Sequence, residues 1–314
     1  MRNKLRAFAL AAVSTLIAGG AQAVEIGVIG FQFSAETHAR VANAAKAAAE
    51  AKGWEVTLLN SEGALPKHAE QFDALIAKGV DGIVIAMGKP VEADAQFEAA
   101  KAAGIPVVTV QSGSSPHAVV EIQSNEYQIG AQAALYILGK MGYSGNLLEC
   151  RFEMNTASRI RGKVLDAVLS ENAAVNVAGS FSMARTKSWR DDVRAGMQAL
   201  LLQNQGAVDG IWASFDGQAY IIDDLLTAQG VKKGEIPLVS VDGGPESYRR
   251  IADPESTFLA TVAIPFESMG EMAVDVLDRV IVKGEPRESI AAGPYLFVES
   301  ILVDESNVAE FLPK

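Results

Sequence analysis

Two stretches of this chain repeat one pattern. The first is "GVDGIVIAMG" (79–88) with "AAGIPVVTVQSG" (102–113); the second is "AVDGIWASFDG" (207–217) with "IPLVSVDGG" (236–244). In each, Asp-Gly enters an apolar run, a helical segment follows, and Ile-Pro opens a second apolar run. Runs such as "GIVIA" and "VVTV" are apolar without alternation, as strands are when both faces of a parallel sheet are covered. A unit of that kind met twice predicts two related domains rather than one large one.

The surroundings of each copy extend the pattern. Upstream of the first lie "EIGVIGF" and "WEVTLL"; upstream of the second lie "NLLEC" and "VNVAGS". Between the strands run segments such as "HARVANAAKAAAEAKG" and "HAEQFDALIAKG", apolar at helical spacing and closed by Gly. Strands alternating with helices read as α/β, doubly wound domains. Beyond the second copy, "STFLATVAIPFESMGEMAVDVLDRVIVKG" (256–284) adds a strand and a helix, and "PYLFVESILV" (294–303) reads as one final strand. These extra elements allow the chain to return to the first domain and then to the second.

The amino terminus reads as a secretory leader. "MRNKLR" places three positive charges before "AFALAAVSTLIAGGA", and "AQA" (21–23) supplies a small-x-small cleavage site after Ala23. The apolar run is shorter than the ~20 residues a spanning helix needs. No cysteine stands at the cleavage point, so no lipid or membrane anchor is expected, and the periplasm is the expected compartment. The chain carries 27 basic and 38 acidic residues; losing Arg2, Lys4 and Arg6 leaves 24 against 38, a formal charge of −14. That balance argues against nucleic acid, whose phosphates call for a basic footprint. The single cysteine, Cys150, ends an apolar strand and reads as a small buried hydrophobe.

In doubly wound sheets ligands sit beyond the carboxyl ends of the strands. The candidate segments are therefore 31–38, 87–90, 111–113, 151–155, 182–189, 215–218 and 242–245. They offer Phe33, Glu36, Thr37, His38, Gln111, Asn155, Trp189, Phe215, Asp216 and Asp242, with Arg161 nearby. Amide, carboxylate and guanidinium groups beside aromatic faces suit a polyhydroxylated solute. Asp216 reads equally as a helix cap, Asp242 as a turn residue, and Trp189 as core.

Catalytic signatures are absent: the sequence has no G-x-G-x-x-G after a strand, no P-loop and no G-x-S-x-G. Gly27 and Gly30 lie inside a strand, where close packing is the more economical role. The three histidines, His38, His68 and His117, are not spaced as metal ligands. His68 and His117 read as surface residues, and His38 alone stands at a strand end. No cofactor or metal is expected.

Taken together, "KGVDGIVIA", "AAGIPVVTV", "IQSNEYQIG", "ASRIRGKV", "FDGQAYIIDDLLTAQG", "VSVDGGPES" and "ATVAIPFESMG" resemble, in order and spacing, the ribose/galactose-type periplasmic sugar-binding proteins of ABC transporters. The resemblance covers essentially the whole chain after the leader. It implies the type I periplasmic binding protein fold: two Rossmann-like, doubly wound parallel-sheet lobes joined by three crossovers and closing on one ligand. The crossovers are expected near Asn125, Pro265 and Pro294. Residues 24–124 plus 265–293 would form one lobe, and 125–264 plus 294–314 the other.

By the same resemblance Arg161 corresponds to the family's ligand-binding arginine and Asp242 to its carboxylate on sugar hydroxyls, while Trp189 lies near its stacking aromatic. Departures are clear. Ala35-Glu36-Thr37-His38 stands where ribose-type members carry Asn-Pro and two aromatics. Gln111-Ser112 replaces an Asp-Arg pair, Phe215 an Asn, and Ile264 a Gln or Asn. Neither ribose nor glucose is therefore implied. The expected function is a monomeric solute-binding component of an importer, not an enzyme, that takes a small sugar or sugar alcohol by hinge closure. Its partner would be an inner-membrane ABC permease; whether a chemoreceptor also reads the closed form is left open by the sequence. Two rivals stand beside it: the same fold holding a cyclic signalling molecule or small organic acid on Arg161 and a protonated His38, and an exported α/β enzyme. LacI-type repressors share this core, but they carry a helix-turn-helix headpiece where this chain has its leader.

Overall fold

The protein is described by a computed structural model over residues 23–87 and 93–313. Residues 1–22, on which the leader reading rests, and residues 88–90 of the strand-end set lie outside the described residues. In chain order the strands are β1 (Glu25–Gly30), β2 (Glu55–Asn60), β3 (Gly82–Ala86), β4 (Val107–Val110), β5 (Val120–Ser124), β6 (Gly145–Arg151), β7 (Val175–Ser182), β8 (Gly210–Ala213), β9 (Leu238–Asp242), β10 (Phe258–Ala263), β11 (Tyr295–Val298) and β12 (Ile301–Asp304). The helices are α1 (Glu36–Ala51), α2 (Leu65–Lys78), α3 (Asp94–Ala102), α4 (Glu126–Lys140), α5 (Thr156–Ser170), α6 (Trp189–Gln203), α7 (Asp216–Ala228), α8 (Pro245–Ala252), α9 (Phe266–Ile281) and α10 (Arg287–Ile290).

Two six-stranded sheets result, ordered β11-β5-β4-β3-β1-β2 and β12-β10-β9-β8-β6-β7. Every pairing is parallel except that of β12, which runs antiparallel to β10. The repeated stretches occupy equivalent places, β3–β4 in one sheet and β8–β9 in the other, and their shared residues do the same work. Asp81 and Asp209 each accept, at 2.7 Å, a backbone N–H at the start of the neighbouring strand, from Glu25 of β1 and Asn146 of β6 respectively. Pro106 and Pro237 each offer a carbonyl to the isoleucine that follows the Asp-Gly pair. At Gly82 a Cβ would stand 2.8 Å from Ile281 Cδ1 of α9, and at Gly210 it would stand 2.6 Å from Met141 Sδ beside α4. The glycine lets a helix lie close on the sheet in both halves.

Among the described residues the chain crosses between sheets three times. The first crossing follows β5, where the Asn125 side chain caps α4 by accepting from the Tyr127 and Gln128 N–H groups at 3.2 Å. The second follows β10 at Ile264–Pro265, where α9 begins and returns to pack along α1. The third differs from the expectation near Pro294. "PYLFVESILV" is two strands, because Tyr295–Val298 pairs in parallel with Glu121–Ser124 of the first sheet while Ile301–Asp304 pairs with β10 of the second. β11 ends at Val298 and β12 begins at Ile301, so the change of sheet falls at Glu299–Ser300. One core cluster contains residues of both lobes, such as Val28 and Val84 from one and Trp212 and Val241 from the other, with Ile264 and Phe266 of the second crossing.

His68 corrects a sequence expectation. It is buried rather than on the surface: its Nδ1 lies 3.0 Å from Ser61 Oγ, and its ring stands edge-on to Phe31. His117 is half-buried with Nδ1 inside. Cys150 is fully buried, and burial pushes its thiol well above the usual range. Among the described residues no helix is long and apolar enough to cross a membrane.

Candidate binding cleft

The carboxyl ends of both sheets carry polar residues linked into one hydrogen-bond chain. From the first lobe, Gln111 Nε2 donates to Ser124 Oγ at 2.6 Å, and Ser124 Oγ donates to Glu126 Oε1 at 3.0 Å. In the second lobe, Arg161 Nε donates to Glu126 Oε2 at 2.6 Å. Arg161 Nη1 then reaches the Ser214 carbonyl at 2.9 Å and Asp242 Oδ1 at 3.3 Å. A single guanidinium therefore ties the start of α4, the end of β8 and the end of β9 to α5. The pairing of Arg161 with Asp242 is a contact between groups far apart in sequence. Glu126, which completes it, is a site residue that the sequence reading missed; its place one residue after the expected crossing at Asn125 was the available signal.

Burial dominates the electrostatics. The Asp242 carboxyl is pushed up to about 7 by desolvation, which the Arg161 charge opposes and the neighbouring Asp216 and Glu126 reinforce. Burial works against the Arg161 charge too, but Glu126 and Asp242 hold it above its usual value. Two carboxylates thus share one cation. Asp242 has φ 133° and Gln111 has φ 48°, values that side-chain-bearing residues seldom adopt. Strain of this kind persists only where the surroundings over-determine it. At Gln111 the anchor is Glu121, which accepts from the Ser112 and Gly113 N–H groups at 2.8 and 3.0 Å and is pushed up to about 7 by burial.

At Asp242 the anchor is Asp216, one of the candidate ligand residues. Asp216 is 3% exposed, and its oxygens accept from Ser240, Ser247, Thr261 and the Gly243 N–H, all in the second lobe. It is not the helix cap, and its oxygens are engaged within its own lobe, where it holds the turn that carries Asp242. Asn155 is likewise engaged locally, with Oδ1 capping α5 at the Ser158 N–H, 3.0 Å away. Ile264 is 1% exposed and meets the site through its backbone, donating to the Asp242 carbonyl at 2.8 Å.

The aromatic side chains form a wall. Phe215 lies between Trp189 and Phe152, with ring centroids 5.6 and 6.1 Å away, and the Arg185 guanidinium covers Phe152 at 5.6 Å. Phe152 and Arg185 were not singled out from the sequence, although both lie in or next to strand-end segments. On the first lobe's side, Phe33 folds back over its own strand end: a Cβ on Gly30 would fall 2.0 Å from its ring. Glu36 is exposed, and Thr37 and His38 are half-buried. His38 Nδ1 is buried without a partner among the described residues, and burial, with Arg185 nearby, lowers its pKa to about 4. His38 is therefore neutral at physiological pH. The Ser61–His68 pair is sealed from solvent at 0% and 1% exposure.

Comparison with known proteins agrees with this geometry. The family model described as "Periplasmic binding protein domain" matches residues 26–286. A xylitol-binding protein of Mycolicibacterium smegmatis is 25% identical over 269 residues, covering 83% of this chain and 72% of the relative. A D-apiose import binding protein of Paraburkholderia graminis is 26% identical over 250 residues, covering 77% and 76%. The crystal structure of an ABC transporter solute-binding protein from Agrobacterium vitis with bound allitol superposes with a TM-score of 0.77 at 25% identity, covering 92% of this chain and 98% of that one. Two parallel-sheet lobes, three crossings, strand-end polar groups and a family match over most of the length lead to one conclusion: this chain belongs to the periplasmic binding protein family.

Proposed function

We propose that the cleft takes a small, uncharged polyhydroxylated solute, a sugar alcohol or small sugar, and that the chain delivers it to an inner-membrane ABC permease. The observation that carries this reading is the charge balance of the site. Arg161 is matched by Glu126 and Asp242 at 2.6 and 3.3 Å, so its charge is already compensated before any ligand arrives. His38 is neutral, with a pKa lowered to about 4, so it supplies no second cation to an anionic ligand. Asp242 and Arg161 offer acceptors and donors for neighbouring hydroxyls, and Trp189 with Phe215 offers an apolar face for C–H surface.

Relatives named for xylitol and D-apiose, and a solved neighbour holding allitol, support the same ligand class. Closure of the two lobes about the crossings would complete contacts from both sides only when ligand is present. We read the chain as a binder and not an enzyme, exported with its leader cleaved after Ala23. A thermal-shift screen of tetritols, pentitols, hexitols and small sugars, with small organic acids as the contrast, tests the ligand class. A polyol at saturating concentration raises the melting temperature, because binding to the native state alone stabilises it. Stabilisation by acids only, or by none of the panel, overturns the reading. Amino-terminal sequencing of the periplasmic protein should begin at Val24.

A further inference from the structure

Arg40 on α1 makes a contact that joins the two lobes. Its Nε and Nη2 donate to both oxygens of Glu267 at 2.7 and 2.9 Å, and its guanidinium lies 5.2 Å from the centroid of the Phe266 ring. Glu267 and Phe266 open α9, immediately after the second crossing, so Arg40 is fixed within the first lobe at the crossing. The remaining arm, Nη1, donates to the carbonyl of Gly243 in the second lobe, at 2.5 Å. Gly243 follows Asp242, and its own N–H is held by Asp216 at 2.8 Å. Gly243, next to the candidate binding carboxylate, is therefore held by its own lobe through its N–H and by the other lobe through its carbonyl.

The sequence on the second lobe is shaped for this approach. Gly244 adopts φ 146°, and a Cβ there would stand 2.8 Å from Arg40 Nη1 and 3.3 Å from Glu36 Oε1. The positive φ favours glycine here, and any side chain would press on the Arg40 guanidinium. The Arg40 side chain is 13% exposed, which shields the contact from solvent screening.

We propose that Arg40 is a latch for the closed conformation: a positioning residue that joins the lobes through the Asp242-Gly243-Gly244 turn without touching the solute. The proposal rests on the reading of the cleft as a ligand site that closes, and it adds that closure is favoured by a contact made within the protein itself. Opening the lobes pulls the Gly243 carbonyl away from Arg40, while the Glu267 pair stays intact in the first lobe. The latch then re-forms at each closure with its guanidinium already oriented.

The test is made on ligand-free protein. Spin labels at Glu70→Cys and Lys187→Cys, both exposed and in different lobes, report the lobe separation, and the buried Cys150 stays unlabelled. Arg40→Met keeps the stem over Phe266 and removes the donors; it shifts the closed-to-open ratio toward open about tenfold, as loss of a charge-assisted hydrogen bond does. Arg40→Lys, which keeps charge but not the fork, gives a smaller shift in the same direction, as does Glu267→Gln, which loosens the guanidinium. Unchanged distance distributions in all the folded variants, checked by circular dichroism, overturn the latch. Xylitol added to the wild type tests the ligand reading separately: no response to any polyol would sink that reading and leave the ligand-free comparison standing.

Discussion

Replacing Asp242 by Asn should stabilise the ligand-free protein at neutral pH while abolishing ligand binding. In the folded protein the Asp242 carboxyl is pushed up to about 7 from an ordinary 3.8, mainly by burial, and Arg161 does not offset this because it also serves Glu126. The folded state thus holds the proton more tightly than the unfolded chain does. The contribution of this group to stability is fully present below about pH 4 and is lost as pH rises through about 7. At about 1.4 kcal/mol per pH unit, the difference amounts to at most roughly 4 kcal/mol. Asn keeps an oxygen for Arg161 Nη1 and removes the titration. Urea denaturation of both proteins between pH 4 and 8 measures the effect. The variant should match the wild type near pH 4 and pull ahead progressively toward pH 7, then run parallel. A difference that is flat with pH, or a variant that loses ground as pH rises, refutes the assignment of a buried, costly carboxylate at this position. Asp242 itself holds φ 133°, a second cost at the same position.

Three further outcomes follow from the same geometry. Arg161→Met leaves Glu126 and Asp242 without their cation and should destabilise by about 3–5 kcal/mol, read as a lowered thermal midpoint, with Arg161→Met/Asp242→Asn recovering part of the loss. Of the three tryptophans, Trp54 and Trp212 are buried in cores at 8% and 0% exposure. Any change in emission on adding a polyol should therefore come from Trp189 and vanish in Trp189→Phe. Asp81→Asn and Asp209→Asn remove equivalent charge-assisted bonds to the neighbouring strand; each should lower stability by about 1–2 kcal/mol in denaturant, and a clear inequality would contradict the equivalence of the two repeats.

Much of the architecture was legible because it is local. Continuous apolar runs, helical spacing and the doubled Asp-Gly and Ile-Pro signals are read along the chain, and the structure gives those residues the same bonds in each half. Cys150 and the strand glycines were readable for the same reason. The third crossing was not, because "PYLFVESILV" carries no turn signal stronger than Glu299-Ser300, and only pairing with β5 and β10 divides it. His68 was misread because a histidine at a polar position of a helix looks solvent-facing until Phe31 and Ser61 close over it.

The site divides in the same way. The candidates followed from one rule, that ligands gather at strand ends, and that rule cannot tell which polar group turns to the cleft and which is used up inside the fold. Asp216 and Asp242 both follow apolar strands, yet one accepts four bonds from its own lobe and the other faces Arg161. Sequence alone determined that the chain builds two matched α/β lobes with their strand ends carrying amide, carboxylate and aromatic groups, because periodicity and spacing are properties of neighbours. Only the tertiary structure decided the charge of the site, through Glu126 beside Arg161 and a desolvated, neutral His38, and the grip of Arg40 on the Gly243 turn. Desolvation and pairing depend on groups that the chain brings together from distant positions, and no local pattern records them.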